Sequence, residues 1–288
     1  MIPALHPANA REPVTITYLG NAGWQIEAAH KVILVDPYLT EFRNGGRDNK
    51  NTNDNSDPIL VPDKKGIDAH IRRADYILIT HGHSDHMLEA PYISNKLGAV
   101  IVCHRSAANI ARAWGVPDKR LIVVRGGEDY AFEGFSLRVI PSLHSPLLGK
   151  RYNDTKWADD TPTGMKAPLH ESAYLEGGTL IYLLRIAGHQ IFITGSMNYI
   201  ENEVRGLRPD IAIVGAGASR KENYDYADRL MRALGDPAIV LPTHWDSYGN
   251  ATRDAALKGA REFAAEIQAA SPRTRVTIPG YFIPLRFP

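Results

Sequence analysis

A chain of 288 residues, 44% apolar and 23% charged, can bury the core of a soluble globular protein, as one large domain or two small ones. A formal net charge of +1 argues against a polyanionic partner or an acidic membrane surface, and the single Cys103 excludes an intramolecular disulfide. No run approaches the roughly 18 apolar residues of a membrane span, and residues 1–13, with His6, Arg11 and Glu12, lack the apolar stretch of a signal peptide, so a cytoplasmic protein is expected.

Alternation predicts a first strand over 14–19, ending at Gly20-Asn21-Ala22-Gly23. Trp24 to Glu27 and Lys31 to Val35 form the next two, closed by Asp36-Pro37. Residues 41–66 are rich in Asn, Asp, Gly and Lys and read as a surface loop, followed by a short helix over 67–73. The apolar run Tyr76-Ile77-Leu78-Ile79 reads as a buried strand. Helices are expected over 88–97 and, capped by Ser106, as far as Trp114, with a buried strand over 99–102 between them. Cys103 follows that strand and reads as a core thiol.

Strands over 121–124, 130–132 and 135–140 lead to Pro141-Ser142-Leu143-His144. Residues 149–177 break the rhythm and read as an insertion, long enough to be functional and holding Tyr152, Trp157, Met165 and His170. A hairpin over 179–186 and 190–194 ends at Gly195-Ser196. After a buried strand over 211–214, Gly215-Ala216-Gly217 lacks the third glycine of a dinucleotide fingerprint. Tyr226, Leu230, Met231 and Leu234 form a core-facing helical stripe. Ile239-Val240-Leu241 delivers Pro242-Thr243-His244, a helix spans 255–270, and residues 276–287 read as a closing strand. With no repeat and no linker, residues 1–288 read as one domain.

The densest chemistry lies in Thr80-His81-Gly82-His83-Ser84-Asp85-His86. Alternate residues of an extended segment point the same way, so His81 and His83 can grip one metal ion. Asp85 and His86 then turn past them and can hold a second. Imidazole and carboxylate suit zinc foremost, with iron and manganese as alternatives. His81/His83, His144 and His244 each sit just beyond the end of an apolar strand, and loops at one sheet edge can meet in space.

These features resemble the metallo-β-lactamase fold superfamily, whose central signature is His-x-His-x-Asp-His. Residues 18–24 together with Val35-Asp36-Pro37 look most like its branch of ascorbate-phosphate-lactonase-like hydrolases. The resemblance implies an α/β fold, the four-layer αββα sandwich, and two divalent metal ions, Zn2+ foremost with Mn2+ or Fe2+ as alternatives. It implies His81, His83 and His144 around the first ion, and Asp85, His86 and His244 around the second. It places Asp36 behind a ligand histidine. Most of the superfamily carries a bridging Asp where this chain has Ser196, which implies a weaker second site.

The expected function is hydrolysis by water activated between two metals, with Asp85 both ligand and orienting group. The bond is a small-molecule ester, lactone, amide/β-lactam or phosphate ester. Alternatives are an iron-dependent oxidoreductase of the same fold, a phosphodiesterase or nuclease, and a non-catalytic binding protein. The balanced charge disfavours nucleic acid, so the expected partner is a small-molecule substrate, with no membrane and no set oligomeric state. Tyr152, Trp157 and His170 are candidate substrate contacts.

Overall fold

A computed structural model of the protein describes residues 11–40, 57–146, 159–246 and 253–288. The strands run in chain order as β1 (Val14–Gly20), β2 (Gly23–Ala28), β3 (Lys31–Val35), β4 (Ile59–Leu60), β5 (Tyr76–Leu78), β6 (Val100–Cys103), β7 (Leu121–Val123) and β8 (Asp129–Phe132). They continue as β9 (Phe135–Ser142), β10 (Leu169–His170), β11 (Thr179–Ile186), β12 (His189–Thr194), β13 (Ile211–Gly215), β14 (Ile239–Thr243), β15 (Arg275–Val276) and β16 (Pro284–Phe287). The helices are α1 (Lys64–His70), α2 (Ser84–Met87), α3 (Ala90–Leu97), α4 (Arg105–Ala113), α5 (Glu201–Val204), α6 (Tyr226–Leu234) and α7 (Arg253–Ala270).

Two seven-stranded sheets face each other, one ordered β16-β1-β2-β3-β5-β6-β7 and the other β15-β14-β13-β12-β11-β9-β8. In the first, β1 to β3 form an antiparallel meander and β3, β5, β6 and β7 run parallel. The second repeats this plan, with β8, β9, β11 and β12 antiparallel and β12 to β15 parallel.

Period-two alternation explains the layers. Ile33, Val35, Leu78 and Val102 point into the core between the sheets. Their neighbours Val32, Leu34, Ile77, Ile101 and Cys103 point the other way, onto Ile67 of α1, Ile93 of α3 and Ala107 and Ile110 of α4. On the second sheet β13 is buried along its whole length, as a strand covered on both faces must be. Leu230, Leu234, Phe263 and Ile267, from α6 and α7, pack there. The result is the αββα sandwich. Cys103 is fully buried, and burial pushes its thiol up to about 12, so it is core and not a nucleophile.

Several boundaries differ from those expected. The helix expected over 67–73 begins at Lys64, because Ile67 N already donates to Asp63 O; its polar first turn carries no apolar period. Ser106 does not cap α4: it lies inside the first turn, where its hydroxyl accepts Thr161 N–H. The tail is not one strand, since Arg275–Val276 joins the second sheet and Pro284–Phe287 the first, with Pro279-Gly280 between. Tyr152 and Trp157 lie outside the described residues, as do His6, residues 41–56 of the expected surface loop and the first part of the insertion.

Candidate metal centre

The parallel halves of both sheets end at one edge. Beyond β5, Ile79 N still donates to Val102 O, and then the Asp36 side chain takes over from the ladder: its Oδ1 accepts Thr80 N–H at 2.8 Å. The strand therefore stops where Asp36, just past β3, meets the metal loop. Gly82 lies against Leu175 and Glu176. A Cβ there would fall 2.1 Å from Leu175 O, and Gly82 N donates to Glu176 O at 3.0 Å. Gly195, past β12, is equally confined: a Cβ would meet Thr80 Oγ1 at 2.1 Å and Asp36 Oδ2 at 2.6 Å. Close packing of the two sheet edges demands glycine at both places. Helix α2 starts directly after His83 and puts Asp85 and His86 in its first turn.

Two groups of three side chains that could each hold a metal ion result, His81/His83/His144 and Asp85/His86/His244, each with its candidate ligand atoms within 4.8 Å of one another. In the first, the ring centroids form a near-equilateral triangle of 4.8, 4.7 and 4.8 Å. In the second, His244 Nε2 is 3.3 Å from His86 Nε2 and 3.4 Å from Asp85 Oδ2, and His86 Nε2 is 3.6 Å from that oxygen. Three ligand atoms held tetrahedrally by one zinc ion lie about 3.3–3.6 Å apart, so the triangle has the dimensions of a metal site. His81 and His86 join the groups, their rings 3.8 Å apart.

Hydrogen bonds set the imidazole tautomers. Thr80 Oγ1 donates to Asp36 Oδ2 at 2.5 Å, which leaves it as acceptor for His81 Nδ1 at 3.2 Å. His86 Nδ1 donates to the same Asp36 oxygen at 2.8 Å, and His144 Nδ1 to Ser145 O at 2.8 Å. All three thereby turn a bare Nε2 lone pair inward. His81 Nε2 is buried without a hydrogen-bond partner, which is costly unless a cation completes it. The residues thus fit metal ions.

Electrostatics agree. Burial holds His81 well below the ordinary imidazole value, helped by the neighbouring imidazoles, and burial with His83 lowers His144 to about 3; both stay neutral as ligands must. Burial opposes the Asp85 carboxylate, but His86 and His244 outweigh it and hold Asp85 well below the carboxylate range. Burial would likewise depress His86, yet Asp85 and Asp36 raise it, so a positive charge is at home between these carboxylates.

Of the other expected site residues, Asp36 stands behind His86, whose Nδ1–H it accepts at 2.8 Å. Ser196 is buried, and its hydroxyl accepts Ser145 N–H at 2.8 Å, beside His144. His170 sits elsewhere, exposed on β10 with Nδ1 on Asp57 O at 2.7 Å. The described part of the insertion docks on α4, with Thr161 O accepting from Asn109 Nδ2 and Tyr174 OH from Trp114 Nε1. His189, which falls between the two expected strands of the hairpin, instead opens β12, buried and bonded to Asp210. Two residues without an expected role prove central, Thr80 and Asn21. Asn21 shares the signal that marked the histidines, a polar residue just past a buried strand.

Fold and site define the class: an αββα protein with histidine and aspartate groups that could bind metal gathered at the joint edge of its sheets. The chain belongs to the beta-lactamase superfamily, whose domain matches residues 15–244. A UPF0173 metal-dependent hydrolase of Brucella ovis is 28% identical over 263 residues, 89% of this chain and 95% of that protein. Among solved structures, the metallo hydrolase Igni18 of Ignicoccus hospitalis superposes with a TM-score of 0.63 at 16% identity, covering 96% of this chain and 99% of that one. An isothiocyanate hydrolase from Delia radicum gut bacteria does so at 0.58 and 17%, covering 95% and 98%. The protein is an enzyme of this superfamily, a metal-dependent hydrolase. Among the described residues no helix is long and apolar enough to cross a membrane.

Proposed function

We propose that the enzyme hydrolyses a small-molecule ester, lactone, amide/β-lactam or phosphate ester at a centre for two divalent metal ions, zinc foremost. The observation that carries this is the pair of adjoining ligand triads, their Nε2 and carboxylate atoms turned inward at metal-site spacing. When bound, the ions supply Lewis acidity, which acidifies water and polarises the bond under attack.

The chain's own residues do the rest. His81, His83 and His144 hold one ion; Asp85, His86 and His244 hold the other. Asp85 is the catalytic carboxylate: it stays ionised and offers an acceptor that can orient an attacking water. Asp36 and Thr80 fix His86 and His81 so that no reorganisation is needed when substrate arrives. A net charge of +1 supports a small substrate over nucleic acid, and we place the enzyme in the cytoplasm.

A panel of lactone, ester, β-lactam and phosphodiester substrates, each assayed with chelated and with zinc-reconstituted protein, tests the reading. Turnover of one class that disappears on chelation and returns with metal is expected. Equal turnover with and without metal contradicts it.

A further inference from the structure

We propose that Asn21 is the positioning residue of the second triad, holding Asp85 and His244 at once. This deepens the two-metal reading above and rests on it. Asn21 occupies the turn between β1 and β2 with φ +52° and is 2% exposed. Its amide Nδ2 donates to Asp85 O at 2.9 Å and to Asp85 Oδ2 at 3.1 Å. Both neighbours are acceptors, so the amide can face them only with its nitrogen, and Oδ1 is left buried without a partner. Its backbone carbonyl accepts His244 N–H at 2.6 Å and lies 2.7 Å from the Tyr18 hydroxyl oxygen.

The two ligands reached this way come from opposite sheets. Asp85 follows β5 of the first and His244 follows β14 of the second, 64 and 223 residues away in sequence. His244 itself is held at φ +57°, a left-handed conformation that a non-glycine residue keeps only when its surroundings impose it. Asp246 completes the bracket: its carboxylate accepts Tyr18 OH at 2.6 Å and Asn21 N–H at 3.3 Å. Asn21 thus sets the angle of the Asp85 carboxylate with its side chain and the entry of His244 with its backbone. The first triad receives no hydrogen bond from it among the described residues.

Stepwise addition of Co2+ to metal-free protein, followed by visible absorption, reads the two sites separately. The variants are Asn21→Gly, which removes the amide and suits the positive φ, and Asn21→Ala, which removes the amide and adds left-handed strain. Affinity for the second equivalent should fall about ten- to a hundredfold in both variants alike, the loss expected for a group that orients a ligand. The first equivalent's band and affinity should not change. An unchanged second equivalent in either variant that folds overturns the proposal. So does a loss spread over both equivalents and larger for Asn21→Ala than for Asn21→Gly, which marks a turn residue alone. A wild-type protein that takes a single ion contradicts the two-metal reading and takes this proposal with it. Two ions in the wild type with unaltered variants contradict this proposal only.

Discussion

The carboxylate of Asp36 and the imidazole of His86 form a buried pair, Oδ2 to Nδ1 at 2.8 Å, with neither side chain more than 1% exposed. Because Thr80 N–H points at the other oxygen, an amide in place of Asp36 must keep its oxygen there and turn its NH2 toward His86. Asp36→Asn should therefore reverse the His86 tautomer and put a proton on Nε2. Affinity for the second metal ion should fall about ten- to a hundredfold while the first is retained, measured by competition with a chelator. Unchanged affinity for both would mean that His86 does not use Nε2.

Glu89 supplies a pH dependence independent of the ligands. Its Oε1 takes three donors, Leu39 N, Thr40 N and Thr40 Oγ1, while Oε2 is buried without a partner. Burial raises its carboxyl from 4.5 to about 7. Between those values the folded protein keeps a proton that the unfolded chain releases. The stability is therefore full below the unfolded value and is lost as pH rises through about 7, by about 3 kcal/mol. Glu89→Gln, which mimics the protonated acid, should flatten that slope. Thermal unfolding of both proteins from pH 5 to 8 checks this, and parallel curves would refute it.

The sequence carried the candidate metal-binding histidines of this loop plainly, because a strand end followed by His-x-His-x-Asp-His packs four ligand-type positions into one local pattern. It also carried the strands whose faces are both buried, since Ile77-Leu78-Ile79 has no polar residue to confuse its type. What it hid depends on distance. Asn21 acquires its role only through Asp85 and His244; its place just past a buried strand is one that ordinary turn asparagines share. The tail read as one strand because Thr277 N still pairs with Val240 O, while Phe282 N already pairs with Tyr18 O in the other sheet. Helix α1 was hidden by its Lys64-Lys65-Gly66 opening, where apolar periodicity is absent.

Gly82 tests the fit of the metal loop against its wall. In Gly82→Ala the new methyl must displace Leu175 O or move the loop. A destabilisation of about 1–3 kcal/mol is expected from overpacking, together with weaker metal retention because His81 and His83 flank the displaced residue. Calorimetric unfolding with metal analysis reads both, and an unaltered protein would show that residues 175–176 yield freely.

Ser196 acts on the first triad through Ser145. Ser196→Ala leaves the buried Ser145 N–H without its acceptor, at a cost of about 1–3 kcal/mol in unfolding free energy, and loosens His144. Ser196→Asp adds a negative charge near the candidate centre, so it should tighten the second ion. Denaturant unfolding and stepwise metal binding of the two variants measure these effects. An alanine variant as stable as the wild type, or an aspartate variant with no gain in second-ion affinity, would count against this placement.

The central claim is that six side chains from three strand ends hold two metal ions. Metal analysis of wild-type protein and His81→Ala after zinc loading and removal of free ion tests it most directly. The account predicts two equivalents per chain in the wild type, and the loss of at least one with nearly all hydrolytic activity in His81→Ala, since a three-histidine site cannot lose a ligand without opening its geometry. Full zinc occupancy with unchanged turnover in His81→Ala, or a wild-type protein that retains no zinc, would contradict it.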